Sequence, residues 1–213
     1  MTLSLIQSYD LLKSAIQITP RKATREELEE FHTKEYLDFC NLTTQNDDLE
    51  KLQITSDQNF GIEYDCPIIQ DILPMIQWIA GASLACAEVL NSKLVQVAIN
   101  WGGGWHHSQR DEASGFCYVN DIVLAIQHLR KVHDKVLYID LDVHHGDGVE
   151  NAFNFSPKVF TFSMHKHEDG YFPGTGNIDD VGQGKGKFYS LNFPLKDGIS
   201  DDSYCYIFEK LVP

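Results

Sequence analysis

Positive charge is scarce in this chain: 17 lysines and arginines face 31 aspartates and glutamates over 213 residues, a formal charge of -14. A nucleic-acid surface needs clustered cations to displace counterions, so direct DNA binding is disfavoured and a basic partner, or plain solubility, is the expectation. Cysteine is also sparse. Cys40, Cys66, Cys86, Cys117 and Cys205 are odd in number and lack CxxC spacing, which argues against a disulfide framework and a thiolate zinc site. Cys66 and Cys117 therefore read as buried, inert thiols. A reducing compartment, nucleus or cytoplasm, is expected. The first residues lack the apolar core and cleavage site of a signal peptide, and no run of about 18 apolar residues suggests a membrane span. Neither GxxxxGK[ST] nor GxGxxG occurs, so Gly102 to Gly104 is not read as a phosphate cradle. There is no internal repeat.

What is present fits one globular α/β domain, since 43% of the residues are apolar. Leu5, Ile6, Tyr9, Leu12 and Ile16 fall at helical spacing ahead of Pro20 and predict an opening amphipathic helix. Thr24-Arg-Glu-Glu27 is a capping box for a short second helix, and the polar stretch 41–58 reads as a surface excursion. Pro74 begins a helix running to about Asn91, whose Gly81, Ala82, Ala85 and Ala87 would allow close packing on a sheet. Strands are predicted at 94–99, 136–142, 158–163 and 188–193, with helices at about 120–133, 148–153 and 203–211. Alternation of strand and helix implies a parallel sheet with ligands outside the carboxyl ends of its strands.

Two polar clusters sit at such ends. In Val136-Leu-Tyr-Ile-Asp-Leu-Asp-Val-His-His-Gly-Asp147, the period of two would place Asp140, Asp142 and His144 on one face and Ile139, Leu141 and Val143 on the other. Carboxylate oxygen and imidazole nitrogen suit zinc, and five metal-competent residues within eight positions favour a site over chance polarity. The second cluster, His106-His107, follows the predicted strand 94–99. Asp140 and Asp147 are left over to orient two imidazoles in a base-plus-orienter arrangement. Phe116 and Phe172, each in a glycine-rich loop, read by spacing alone as packing residues.

Four segments together resemble the class I zinc-dependent histone deacetylases: Trp101-Gly-Gly-Gly-Trp-His-His107, Asp111-Glu-Ala-Ser-Gly-Phe-Cys-Tyr-Val-Asn-Asp121, Tyr138-Ile-Asp-Leu-Asp-Val-His-His-Gly-Asp-Gly148 and Phe172-Pro-Gly-Thr-Gly176. They stand in that family's order. The resemblance implies a three-layer arginase/deacetylase-like fold with a mainly parallel sheet, incomplete in this chain, and zinc-dependent hydrolysis of N6-acetyl-lysine in histones and other proteins. Asp142 and His144 would be two of three zinc ligands. His107 would be the main general base and acid and His106 chiefly electrostatic, with Asp147 and Asp140 as their carboxylate partners. Asp65 would grip the substrate backbone, and Gly115, Phe116 and Phe172 would line the channel for the acetyl-lysine stem, which replaces the packing reading of both phenylalanines.

The resemblance further implies two potassium sites, one at Asp140, Asp142, His144, Ser163 and Met164, the other at Phe153, Ser156, Val159 and Tyr189, mostly through backbone carbonyls. Chromatin regulation and transcription repression in nucleus and cytoplasm, on acetylated histone tails and within a protein complex, belong to the same expectation. In the family's pattern the third zinc ligand and the transition-state tyrosine match positions beyond Pro213, and a first strand precedes the opening helix. The 213 residues alone are thus expected to be inactive or nearly so, and to expose strand edges and apolar surface. The alternatives are a non-catalytic binding or regulatory product, a polyamine deacetylase, and an arginase-like manganese enzyme.

Overall fold

The computed structural model describes residues 2–45, 60–62 and 64–212, so most of the predicted surface excursion, 46–58, lies outside the described residues. The chain divides into two compact units, residues 1–136 and 137–213.

The first unit is helical. Helix α1 (Thr2–Ser8) gives way to a 3-10 turn at Leu11–Ser14, because Asp10 takes a left-handed φ of 57° between them. The predicted single amphipathic helix is therefore broken, and of its apolar residues only Ile6 is buried, while Leu5, Tyr9 and Ile16 are exposed. Helix α2 (Arg25–Glu29) has the predicted capping box: the Glu27 amide donates to Thr24 Oγ1 at 3.2 Å and the Thr24 amide to Glu27 Oε2 at 2.8 Å. Helix α3 (Lys34–Gln45) absorbs residues 41–45, which the polarity of that stretch had suggested were loop.

Helix α4 (Ile72–Asn91) packs on α3 and on α5 (Asp121–Leu129). At Gly81 the close packing expected against a sheet is made instead against loop backbone. Gly81 faces the backbone of residues 21–23, where a Cβ would collide with the Arg21 carbonyl oxygen. Among the described residues α4 is long and apolar enough to cross a membrane by length and composition. Its Ile72, Ile76, Ala80 and Leu84 are buried in the core with Leu28, Tyr36, Leu37, Val119 and Leu124, which accounts for the apolar character.

Among the described residues the predicted strand 94–99 has no ladder and includes bends at Leu94 and Gln96. No backbone hydrogen bond joins residues 95–99 to a neighbouring strand among the described residues, and Leu94, Val97 and Ile99 are exposed. An apolar, β-branched run supplies a strand-forming sequence, but only a partner's N–H and C=O groups make a strand.

The second unit holds a three-stranded sheet in the order β1-β2-β3, with β1 at Val136–Asp140, β2 at Val159–Lys166 and β3 at Ser190–Leu195. Strands β2 and β3 are parallel, Thr161 opposite Ser190 through Lys166 opposite Leu195, as the alternating order predicts. Helix α6 (Asp147–Phe153) packs against β2. Helix α7 (Asp201–Leu211), capped by Ser200, lays Tyr204, Ile207, Phe208 and Leu211 on a small core of Phe162, Met164 and Leu195.

Candidate functional site

In the first unit the tandem histidines follow three glycines, and both rings are buried with centroids 3.9 Å apart. The glycine loop is tied down by side chains. The Gly102 amide donates to Asn100 Oδ1 (3.0 Å), the Gly104 amide to Asp121 Oδ2 (3.1 Å) and the Trp105 amide to Asp121 Oδ1 (2.9 Å). Asp121 is almost wholly buried, and desolvation pushes its carboxyl above the usual range against the pull of these hydrogen bonds. Sequence reasoning gave Asp121 no role. Its signal was an acid at the start of an apolar helix, which reads as an ordinary first-turn carboxylate.

The predicted channel residues of this unit come together in one tight turn. Ser114 and Cys117 exchange backbone hydrogen bonds at 3.1 and 2.8 Å around Gly115 (φ 53°) and Phe116 (φ 68°), a two-residue hairpin with both central residues left-handed. A phenylalanine there is strained, and its ring is 74% exposed. Asp65 joins this turn, accepting the Gly115 amide on Oδ2 at 3.0 Å. The neighbouring thiols are inert as predicted: burial pushes Cys66 up to about 11 and Cys117 up to about 12.

In the second unit strand β1 stops at Asp140, two residues short of the predicted end at Asp142. The Asp142 amide donates to Asp140 Oδ1 (3.0 Å), the His144 amide to Asp142 Oδ1 (2.8 Å), and the Tyr138 hydroxyl to Asp140 Oδ2 (2.5 Å). Aspartates bonding to amides two residues on end the strand by turn chemistry. Asp140 is buried, whereas Asp142 and His144 remain half-exposed with Oδ1 and Nδ1 3.1 Å apart. Ile139, Leu141 and Val143 are at least one-third exposed. Among the described residues no group of three or more His, Cys, Asp or Glu side chains is arranged to hold a metal, and of the expected set Asp142 and His144 are in direct contact.

His144 is braced by aromatic rings. Tyr171 stacks on it at 5.4 Å and Phe172 meets it edge-on at 5.7 Å, which brings predicted channel residue and predicted ligand together. Tyr171 carried no signal beyond its place beside Phe172. The Phe172–Gly176 loop is pinned by two further buried histidines: His145 Nδ1 lies 2.8 Å from Thr175 Oγ1, and His165 Nε2 lies 2.9 Å from the Gly176 carbonyl. Gly176 has φ 86° and a Cβ there would run into both rings. Burial pushes His165 down to about 4, which keeps it neutral.

Asp147 opens α6, with its amide donating to the His145 carbonyl at 2.9 Å. Ser163 and Met164 lie buried on β2, where Ser163 Oγ is 2.8 Å from His165 Nδ1. Phe153 ends α6, its carbonyl accepting from the Ser156 amide, while Val159 begins β2 and the Tyr189 carbonyl accepts from the Thr161 amide. His106 and His107 belong to residues 1–136, Asp140 and Asp147 to residues 137–213.

The histone deacetylase domain model matches residues 1–213. The chain is 49% identical over 212 residues to histone deacetylase 8 of Xenopus tropicalis, covering 98% of this chain and 56% of that protein. It is 47% identical over 212 residues to histone deacetylase 8 of Danio rerio (100% and 55%) and 49% identical over 214 residues to type-1 histone deacetylase 1 of Dictyostelium discoideum (100% and 42%). The chain spans about half the length of the curated relatives it matches. The resemblance to class I histone deacetylases is borne out, with histone deacetylase 8 among the similar proteins.

Proposed function

The chain belongs to the histone deacetylase family, and on that premise we propose that its residues serve zinc-dependent hydrolysis of N6-acetyl-lysine in histones and other proteins. The observation that carries this reading is the apposition of Asp142 Oδ1 and His144 Nδ1, 3.1 Å apart and open to solvent. An oxygen and a nitrogen donor suit zinc, so the pair fits as part of a zinc site. Bound there, zinc supplies Lewis acidity towards an amide carbonyl.

The remaining work falls to the chain's own groups. His107 takes a proton from the attacking water on an imidazole nitrogen and returns it to the departing lysine amine, while His106 stabilises charge beside it. By the family resemblance, Asp147 and Asp140 are assigned as the carboxylate partners of His107 and His106. Asp65 has one carboxylate oxygen on the Gly115 amide and holds the substrate backbone with the other. By the same resemblance, Gly115, Phe116 and Phe172 are each assigned to the neutral acetyl-lysine stem, which apolar side chains favour over the charged product. Potassium is proposed at Asp140, Asp142, His144, Ser163 and Met164 and at Phe153, Ser156, Val159 and Tyr189. The acidic surface suits basic histone tails, and residence in nucleus and cytoplasm belongs to the same proposal.

The second reading is a non-catalytic binding or regulatory role for these 213 residues alone. Zinc content and acetate release from an acetyl-lysine peptide decide between them, measured on the native product carrying this sequence, on the 213 residues, and on each with Asp142 and His144 changed to Ala. Stoichiometric zinc and turnover, both lost in the double variant, support the enzyme. Turnover in the native product but not in the 213 residues supports the binding role for the shorter chain. A native product without zinc or acetate release overturns the deacetylase reading.

A further inference from the structure

The N-terminus of α5 carries two adjacent side chains that reach the two ends of the tandem-histidine segment. On the entry side, the Asp121 carboxylate accepts three hydrogen bonds: from the Gly104 amide at 3.1 Å, the Trp105 amide at 2.9 Å and the Ser83 hydroxyl at 2.5 Å. Ser83 Oγ in turn accepts from Asn100 Nδ2 at 2.9 Å, and Asn100 Oδ1 receives the Gly102 amide. The backbone amides of the glycine loop thus close on an internal anion, which explains a glycine-rich turn without a phosphate motif. Gly103 leaves room for this arrangement, since a Cβ there would overlap Asp121 Oδ2 and press on Asn100 Nδ2 and Ser83 Oγ.

On the exit side, Asn120 Nδ2 donates to the Ser108 carbonyl at 2.9 Å, and its Oδ1 caps α5 by accepting the Val123 amide at 3.1 Å. Asn120 is itself held from behind. Its backbone amide donates to His32 Nε2 at 3.0 Å, which places the ring proton on Nδ1, 3.1 Å from the Arg110 carbonyl that accepts it. A neutral His32 is what burial enforces, pushing it down to about 4. Asn120, Asp121, Ser108 and His32 are all buried, so water does not substitute for these bonds.

We propose that Asn120 and Asp121 are positioning residues for His106 and His107, Asp121 fixing the main chain where it enters the pair and Asn120 where it leaves. The proposal deepens the deacetylase reading and rests on it for the role of the two imidazoles. The chemical requirement at position 121 is an acceptor-only group facing three donors. Asparagine has the same shape but turns one acceptor into a donor, leaving an N–H opposed to an N–H. A misplacement of the loop by about 1 Å costs on the order of 100-fold in rate without loss of substrate binding.

The test compares Asp121→Asn, Ser83→Ala and, as a remote destabilising control, Thr24→Ala in the native product carrying this sequence. The readouts are kcat and KM on an acetyl-lysine peptide, the imidazole cross-peaks of His106 and His107 in ring-labelled protein, and the thermal midpoint. Expected for Asp121→Asn is a fall of about 10- to 100-fold in kcat with KM within about twofold, together with displaced cross-peaks for both histidines. Ser83→Ala should shift the same signals less, and Thr24→Ala should lower the midpoint without moving either. If Asp121→Asn lowers the midpoint but leaves kcat and the cross-peaks at their wild-type values, its role is structural only and the proposal is overturned. Should that variant not fold, unchanged kcat and cross-peaks in Ser83→Ala overturn it equally. A wild-type protein without turnover, whose histidine cross-peaks still move in Asp121→Asn, would overturn the deacetylase reading and support the positioning.

Discussion

The two units hold their candidate chemistry in opposite ways. Residues 1–136 bury His106 and His107 and secure the loop on both sides with side chains from one helix end. Residues 137–213 leave Asp142 and His144 half-exposed, bonded to each other and braced by Tyr171 and Phe172. Groups that exchange protons with a substrate need a fixed direction, which a packed helix N-terminus provides. Donors to a cation tolerate looser holding, because the ion itself organises them once bound.

Breaking the backbone contacts on which each unit is built should have the largest effect. Gly81→Ala in the first unit drives a Cβ into the Arg21 carbonyl, and Gly176→Ala in the second drives one into His165 and His145 at a positive φ. Each should cost roughly 1–3 kcal/mol or more, read as a drop in denaturation midpoint. A midpoint unchanged by either would mean that its loop yields, and that the unit is less rigid than its packing implies.

Acid should come next. His32 and His165 are both neutral down to about pH 4 in the folded chain and titrate near 6.5 when unfolded. Their folded values are depressed, so the unfolded state binds more protons below pH 6.5, and stability is full above that pH and falls as pH drops towards 4. For His32 the shift corresponds to about 3 kcal/mol. Denaturation midpoints measured between pH 7 and 4 check this, and replacing His32 by Gln should flatten the slope of the first unit only.

A smaller effect is expected from Thr24→Ala, which removes one half of the capping box and should cost about 1 kcal/mol. Smallest in stability is Phe116→Ala, since an exposed ring in a strained turn contributes little packing, and the change should stay within about 0.5 kcal/mol. Under the proposed function the same substitution should raise KM for an acetyl-lysine peptide. A large loss of stability with KM unchanged would return Phe116 to the packing role that its spacing first suggested.

The sequence was most legible where chemistry is local. The capping box at Thr24, the helix after Asp71, the parallel pair β2–β3 and the inert Cys66 and Cys117 follow from short-range patterns and composition. The motifs around His106, Asp142 and Phe172 suffice to point to the family, because each is a run of neighbouring residues. Legibility failed where a residue's partner is remote in the chain. The apolar run at 94–99 named a strand that has no ladder among the described residues, and the period of two carried the 136–142 strand past Asp140, where an aspartate bonds to the chain two residues on. Gly81 was matched to a sheet and instead meets residues 21–23.

By itself, then, the sequence determined the types of reactive group, their order and the family, because these reside in residue identity and spacing. Tertiary structure alone decided that Asp121, 38 positions from Ser83, fills the glycine loop with its carboxylate, that His32 stands behind Asn120, 88 positions away, and that Tyr171 stacks on His144. Such contacts join groups far apart along the chain or on separate loops, and at Asp121 and His32 they gain strength from burial, which exists only once the chain has folded around them.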